Sequence, residues 1–282
     1  MYFYKTKPFK HQEEIIDDSW KRPYYALFME MGLGKSKVII DTIGKLKSAG
    51  EIDSALIIAP KGVYDNWVKQ EIPNHLPDSI ERFVVRWQPS KAKKFQDDMQ
   101  KVVFEIMAGV KFLVMNIEAF SSERGKKAAY YFLRKNEDNI MVIDESTTIK
   151  NRKANRTKNI IDVSKHAKYK RILTGSPVTK SPMDLFSQCN FLDPMALGQS
   201  SFFAFQNRYA VVQRKTFGSR SFNDIVGYRR LDELNTKLTQ FSARTLKKDC
   251  LDLPDKIYVK RNVALTSEQT TIYEQMRRFA LA

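Results

Sequence analysis

Short apolar runs alternate with longer amphipathic stretches through the first two thirds of the chain. The runs YYALF (24–28), SALIIAP (54–60), ERFVVRW (81–87), KFLVMN (111–116), IMVIDE (140–145) and KRILTGS (170–176) are rich in β-branched and aromatic residues and bounded by turn formers. They predict buried strands. Helix-length segments lie between them at 35–49, 63–75, 90–107, 125–136 and 153–166. Strand–helix alternation of this kind predicts an α/β fold: a mostly parallel central sheet with helices on both faces. Sheets so built bind ligands beyond the carboxyl ends of their strands.

The rhythm changes after about residue 195. The stretch 200–230 is aromatic and basic and lacks the alternation. A helix is expected over 231–243, an extended piece after Pro254, and a helix over SEQTTIYEQMRRFA (267–280). The expected organisation is a first domain over 1–195 and a mainly helical appendage and connector over 196–282.

Composition narrows the class. The 282 residues suit one large domain with an appendage, and 43% apolar residues suffice for a buried core. No apolar run approaches the ~18–20 residues of a membrane span, and the N-terminus MYFYKTKPFK has no signal-like apolar centre. Cys189 and Cys250 lie far apart, as do His11, His75 and His166, which argues against a disulfide framework or a structural zinc site. A reduced, cytoplasmic-type protein is expected: nucleoid-associated, or in the host cytoplasm if viral, with no membrane partner.

Charge adds a partner class. The chain carries 48 Lys and Arg against 32 Asp and Glu, a net +16. Residues 147–180 hold ten basic residues and the single acid Asp162, +9 of that total. Such an excess points to a polyanion, most simply nucleic acid, or to a solvated helix face with a lysine bias.

Two constellations carry chemistry. In GLGKS, Gly32, Leu33, Gly34, Lys35 and Ser36 follow a predicted strand and open a predicted helix. Glycines let a backbone turn tightly around phosphate oxygens, the helix N-terminus favours an anion, Lys35 would reach the β- and γ-phosphates, and Ser36 would hold Mg²⁺. The full phosphate-loop pattern is incomplete, because position 29 is Met where it has Gly. In IMVIDEST, Asp144 and Glu145 end an apolar strand. Buried charges of that kind need a partner, which a metal–phosphate site supplies: Asp144 would hold Mg²⁺, partly through water, and Glu145 would deprotonate the attacking water.

With these residues in view, the chain resembles superfamily 2 nucleic-acid motors, in particular the Snf-type translocases related to chromatin remodellers. FKHQ (9–12) resembles the adenine-reading motif and MEMGLGKS (29–36) motif I. LIIAPKGVYDNWVKQ (56–70) resembles motif Ia, VIDESTTIKN (142–151) motif II and RILTGSPV (171–178) motif III, with DLFSQCNFLDP (184–194) as the helix that follows. FLVMNIEAF (112–120) and FSARTLKKDCLDLPDK (241–256) match intervening segments, the second being the stretch that joins two motor lobes.

The resemblance implies a RecA-like phosphate-loop NTPase lobe over 1–195, ATP with Mg²⁺ as ligands, and DNA in duplex form as partner. It implies a second RecA-like lobe, in cis or trans, bearing motifs IV to VI and the arginine fingers; without that lobe 1–282 is expected to bind ATP with negligible hydrolysis. Gln12 would read the adenine edge, with His11 or Phe9 beside the base or packed under the phosphate loop. Thr174 and Ser176 would couple the nucleotide to DNA. Lys61, Asn116, Glu118, Lys150, Asn151 and Arg152 would touch nucleic acid, while Trp67 would stack a base or pack the core. Ser146-Thr147 replaces the family's frequent Ala-His in motif II, which leaves the usual path between motifs II and III without its imidazole. Two other readings stand beside the DNA translocase: an RNA-directed or restriction-type motor of the same superfamily, and a DNA-binding module whose ATP site does not hydrolyse.

Overall fold

The computed structural model describes residues 2–217, 220–250 and 259–280. In chain order the helices are α1 (Lys10–Ser19), α2 (Lys35–Ser48), α3 (Tyr64–Asn66), α4 (Ile72–His75), α5 (Lys93–Phe104), α6 (Glu123–Lys135), α7 (Asn155–Ser164), α8 (Leu185–Leu192), α9 (Phe202–Tyr209), α10 (Leu231–Thr239), α11 (Lys247–Cys250) and α12 (Ser267–Ala280). The strands are β1 (Tyr24–Met29), β2 (Ser54–Ala59), β3 (Arg82–Arg86), β4 (Val110–Asn116), β5 (Asn139–Asp144), β6 (Tyr169–Leu173), β7 (Ala210–Phe217), β8 (Arg220–Tyr228) and β9 (Ser242–Thr245). A π-helical turn, Trp67–Glu71, joins α3 to α4.

Seven strands form one sheet in the order β3-β4-β2-β5-β6-β1-β9, and every neighbouring pair is parallel. The six strands expected from the apolar runs are all present, within two or three residues at their ends. Because side chains alternate across a strand, each contributes to two cores. Ala26, Phe28, Leu56, Ile58, Leu113, Met115, Met141 and Ile143 pack one face against α5–α10. Leu27, Met29, Ile57, Val114 and Val142 lie on the other face, where α1, α2 and α4 pack. That double burial explains why the strands read as continuous apolar runs.

The chain divides into two compact units, Met1–Cys250 and Leu251–Ala282. In the second, 259–266 has no regular secondary structure and α12 falls on the SEQTTIYEQMRRFA segment. The extended piece expected after Pro254 lies partly outside the described residues.

The sequence rhythm misjudged 196–250 in two places. The helix expected over 231–243 stops at Thr239, and Ser242–Thr245 turns back as β9, the outermost strand beside β1. Four residues are too few to carry a periodicity, and β9 exists because the open edge of β1 is there to accept it. The stretch 200–230, which carried no alternation, holds both a helix and a strand pair. Phe205 and Tyr209 of α9 are buried in the core, whereas β7 and β8 form a separate antiparallel hairpin whose strand residues 211–216 are exposed.

The basic window also divides. Lys165 pairs with Asp162, and Lys168 pairs with Glu51 and Asp138. Arg171 is buried, its guanidinium donating to the carbonyls of Ser19, Trp20 and Arg22 at the end of α1. These residues surround the start of β6, the sheet edge opposite the strand ends that carry the motifs. The cations left for a polyanion are chiefly those after β5, from Lys150 to Lys158.

Candidate nucleotide-binding site

The parallel sheet sets Met29, Ala59, Asn116, Asp144 and Leu173 along one edge, so the loops after β1, β2, β4, β5 and β6 share a rim. After β1 the chain turns through Gly32 (φ 84°) and Gly34 (φ 78°), both in the left-handed region. Gly34 caps α2, and a Cβ there would lie 2.3 Å from Gln12 Nε2. Only glycine meets both constraints, and the turn aims backbone N–H groups at the rim. Beneath it, Gln12 donates to Leu33 O at 3.0 Å and accepts from the Phe9 N–H at 3.0 Å. Its amide keeps one N–H and one lone pair. His11 packs on the same loop, its Nε2 3.2 Å from Leu33 O, and the exposed Phe9 ring lies parallel to it at 6.0 Å.

Lys35 folds back to the carbonyls of Met29 (3.0 Å) and Glu30 (3.3 Å). Burial lowers its pKa, while the charges of Glu145 and Asp144 oppose that shift. The acidic strand end therefore lies within electrostatic reach of the Lys35 ammonium. The π-helical turn brings the half-buried Glu71 carboxyl beside Ser36; burial raises its pKa, and the neighbouring Asn66 and Ser36 side chains oppose that shift.

Asp144 is buried, and both of its oxygens are occupied: Oδ2 accepts from Trp67 Nε1 at 2.9 Å and Oδ1 from the Glu145 N–H at 3.0 Å. Trp67 is 1% exposed, so it packs and orients Asp144 and cannot stack a base in this conformation. Burial raises the pKa of both carboxyls, and for Glu145 the charge of Asp144 adds to the effect. Glu145 sits in a left-handed conformation (φ 51°, ψ 62°), one of two non-glycine residues with positive φ among those described. Backbone strain of this kind tends to accumulate at functional positions. Thr174 Oγ1 donates to Glu145 Oε2 at 3.3 Å and accepts from the Ser176 N–H at 3.2 Å.

The fit to a magnesium nucleotide rests on the donor set. Among the described residues neither Asp144 nor Glu145 has an ion-pair partner within 4.0 Å, and no group of three His, Cys, Asp or Glu side chains is placed to hold a metal. Two carboxylates without an ion-pair partner suit Mg²⁺, which takes few protein ligands and completes its shell with water and phosphate oxygens.

Lys61 is exposed just beyond β2, Asn116 ends β4, and Glu118 is exposed after it. Beyond β5, Lys150 Nζ donates to Thr179 Oγ1, Asn151 Oδ1 accepts from the Lys153 N–H, and Arg152 stacks over Phe202 at 4.1 Å and Phe203 at 5.4 Å. All six candidate nucleic-acid residues thus lie at or beyond the carboxyl ends of β2, β4 and β5.

The sequence reading missed three contributors. Gln188 of α8 accepts from Ser146 Oγ and donates to Pro177 O. Arg244 of β9 donates to Gly175 O at 2.8 Å. Lys247 lies beside Gly32. The only signal for the last two was a basic cluster, RTLKKD, within the stretch assigned to joining lobes.

The SNF2-related domain family matches residues 25–282. This chain belongs to the SNF2-related family. It is 27% identical over 229 residues to the human DNA annealing helicase and endonuclease ZRANB3, covering 81% of this chain and 20% of that protein. To the SWI/SNF chromatin-remodeling complex subunit snf22 of Schizosaccharomyces pombe it is 26% identical over 256 residues, covering 89% of this chain and 14% of the relative. The Sulfolobus solfataricus SWI2/SNF2 ATPase core in complex with dsDNA superposes with a TM-score of 0.65 at 23% identity, over 97% of this chain and 52% of that one, which establishes the fold. The chain thus spans a fifth or less of these two curated relatives and about half of the solved core. It is an SNF2-related domain of RecA-like fold. Among its described residues no helix is long and apolar enough to cross a membrane.

Proposed function

We propose that this chain is the nucleotide-binding half of an ATP-driven translocase on duplex DNA. The observation that carries the reading is the apposition of a lysine-bearing glycine turn and two carboxylates without ion-pair partners on one rim of a parallel sheet.

In this reading the N–H groups of Gly32, Leu33 and Gly34 cradle the phosphates and Lys35 leaves the Met29 carbonyl to meet them. Ser36 and Asp144 would hold Mg²⁺, which would supply charge to offset that of the phosphates. Glu145 takes a proton from the attacking water, for which a carboxyl with a raised pKa is a better-matched base. Gln12 uses its remaining N–H and lone pair on the adenine edge. Thr174, bonded to Glu145 and to the Ser176 backbone, carries the state of the site into the 174–180 loop. Lys61, Asn116, Lys150, Asn151 and Arg152 contact the DNA backbone, which positions a motor without reading sequence. Duplex DNA is favoured by the likeness to the Sulfolobus core bound to dsDNA.

A second RecA-like lobe, reached through 196–282, supplies the arginine finger, worth roughly 10³–10⁵ in turnover. Residues 1–282 alone then bind Mg-ATP with negligible hydrolysis. The test is calorimetric titration of the 282-residue chain, followed by ATPase assays with the second lobe present and with duplex, single-stranded DNA or RNA added. Binding lost in Lys35→Ala, and turnover lost in Glu145→Gln with binding retained, support the reading. Stimulation by RNA alone would instead favour the RNA-directed motor, and nucleotide binding without turnover in the two-lobe protein the non-hydrolysing module.

A further inference from the structure

The strand that the periodicity missed brings a second lysine to the phosphate loop. Register pairs Phe28 with Arg244 and Met29 with Thr245, so the residues that follow β9 emerge beside those that follow β1. A reciprocal clamp holds the two segments: the Glu30 N–H donates to Thr245 O at 3.1 Å, and the Lys247 N–H donates to Glu30 Oε2 at 2.6 Å. The clamp lays the Lys247 side chain over the glycine turn. A Cβ built on Gly32 would stand 3.7 Å from Lys247 Cε and 3.8 Å from Nζ.

Lys247 adds a second positive charge beside Lys35, whose own charge Glu145 and Asp144 favour more strongly than Lys247 opposes it. Among the described residues neither the Lys35 nor the Lys247 ammonium is within 4.0 Å of a carboxylate, and the Lys247 charge contributes to lowering the Lys35 pKa. The two ammonium groups and the turn N–H groups thus border the same glycine loop, Lys35 at the Met29 and Glu30 carbonyls and Lys247 beside Gly32. A ligand with several adjacent negative oxygens relieves that repulsion; a neutral one does not.

We propose that Lys247 is a second phosphate-contacting lysine of the nucleotide site, and that the phosphates it meets fasten residues 246–250 to the glycine turn. The inference rests on the nucleotide reading above. Its consequence is regulatory. The boundary between the two compact units falls at Cys250/Leu251, three residues beyond Lys247. Occupancy of the site therefore immobilises the root of the segment that leaves the first unit, and loss of phosphate frees it.

The substitution is clean because the clamp uses the Lys247 backbone N–H, which any replacement except proline retains. The experiment titrates Mg-ATP, Mg-ADP and adenosine into the 282-residue chain, wild type, Lys247→Gln and Lys247→Arg, and follows amide exchange across 246–250 with and without Mg-ATP. Lys247→Gln is expected to weaken Mg-ATP about tenfold, the loss of one charge-assisted hydrogen bond. Adenosine affinity and melting temperature should not change, and Lys247→Arg should restore most of the loss. Exchange in 246–250 should slow with Mg-ATP in the wild type and not in Lys247→Gln. Equal Mg-ATP affinity in wild type and Lys247→Gln, or a parallel loss for adenosine, overturns the assignment while leaving the site intact. A wild-type chain that binds no Mg-ATP overturns both.

Discussion

Ser146 and Gln188 are 42 residues apart in sequence and joined in the core: the serine hydroxyl donates to Gln188 Oε1 at 2.7 Å, and both side chains are buried. Gln188 Nε2 in turn donates to Pro177 O at 2.8 Å and to Asp184 O at 2.9 Å. Motif II and the motif III loop are thereby connected without the imidazole that Thr147 lacks. The amide offers a donor and an acceptor on opposite sides of one plane, which a bridge between a hydroxyl and a carbonyl needs.

This bridge should appear in a double-mutant cycle. Ser146→Ala leaves a buried acceptor unsatisfied and is expected to cost about 1–3 kcal/mol in denaturant unfolding. Ser146→Ala combined with Gln188→Leu should cost less than the sum by about 1 kcal/mol. Strict additivity would mean that the two side chains do not act together. In the two-lobe protein, Gln188→Leu should reduce DNA stimulation of the ATPase more than basal turnover.

Trp67→Phe keeps the buried ring and removes the bond to Asp144. The expected loss is about 2 kcal/mol of stability, the worth of a hydrogen bond to a charged acceptor. DNA affinity, measured by fluorescence anisotropy, should stay within about twofold of wild type, since an exposed stacking base contact is worth roughly 1–3 kcal/mol and Trp67 cannot provide one. A loss of tenfold or more would show that the indole does leave the core.

Glu145→Gly should make the nucleotide-free chain more stable. It releases a left-handed conformation that costs a non-glycine residue about 1–2 kcal/mol, and it removes a half-buried carboxyl held near Asp144. A net gain of about 1 kcal/mol corresponds to a rise of about 2–4 °C in melting temperature at this size. The same variant should have no turnover in the two-lobe protein, so stability and activity move in opposite directions. Destabilisation would show that the strain is compensated locally.

Acid should loosen the α9–α10 contact selectively. Hydrogen bonds from Arg208 and Tyr209 hold the Glu233 carboxyl down at about 2. A carboxyl whose folded pKa lies below its unfolded value binds more protons unfolded, so its contribution is complete above about pH 4.3 and is lost as pH falls toward 2. The stability difference between wild type and Glu233→Gln, measured by urea unfolding, should be constant above pH 5 and shrink below pH 4.5. A pH-independent difference would mean that the charge of Glu233 contributes nothing.

The six apolar runs, the GLGKS turn and the acidic strand end were legible in the sequence because each is set by local chemistry. A strand buried on both faces must be apolar throughout, a phosphate-cradling turn needs glycine at positive φ, and adjacent carboxylates ending an apolar run need a partner. The ordered motifs carried the family for the same reason.

The long-range pairings were decided only by the tertiary structure. The open edge of β1 recruits four residues more than two hundred positions away, and that pairing sets Lys247 over Gly32 and Arg244 against Gly175. Folding also divides the +9 basic window, burying Arg171 and pairing Lys165 and Lys168 at the far edge of the sheet. Charge and composition are properties of single residues, whereas burial, pairing and sheet register depend on what the rest of the chain brings alongside.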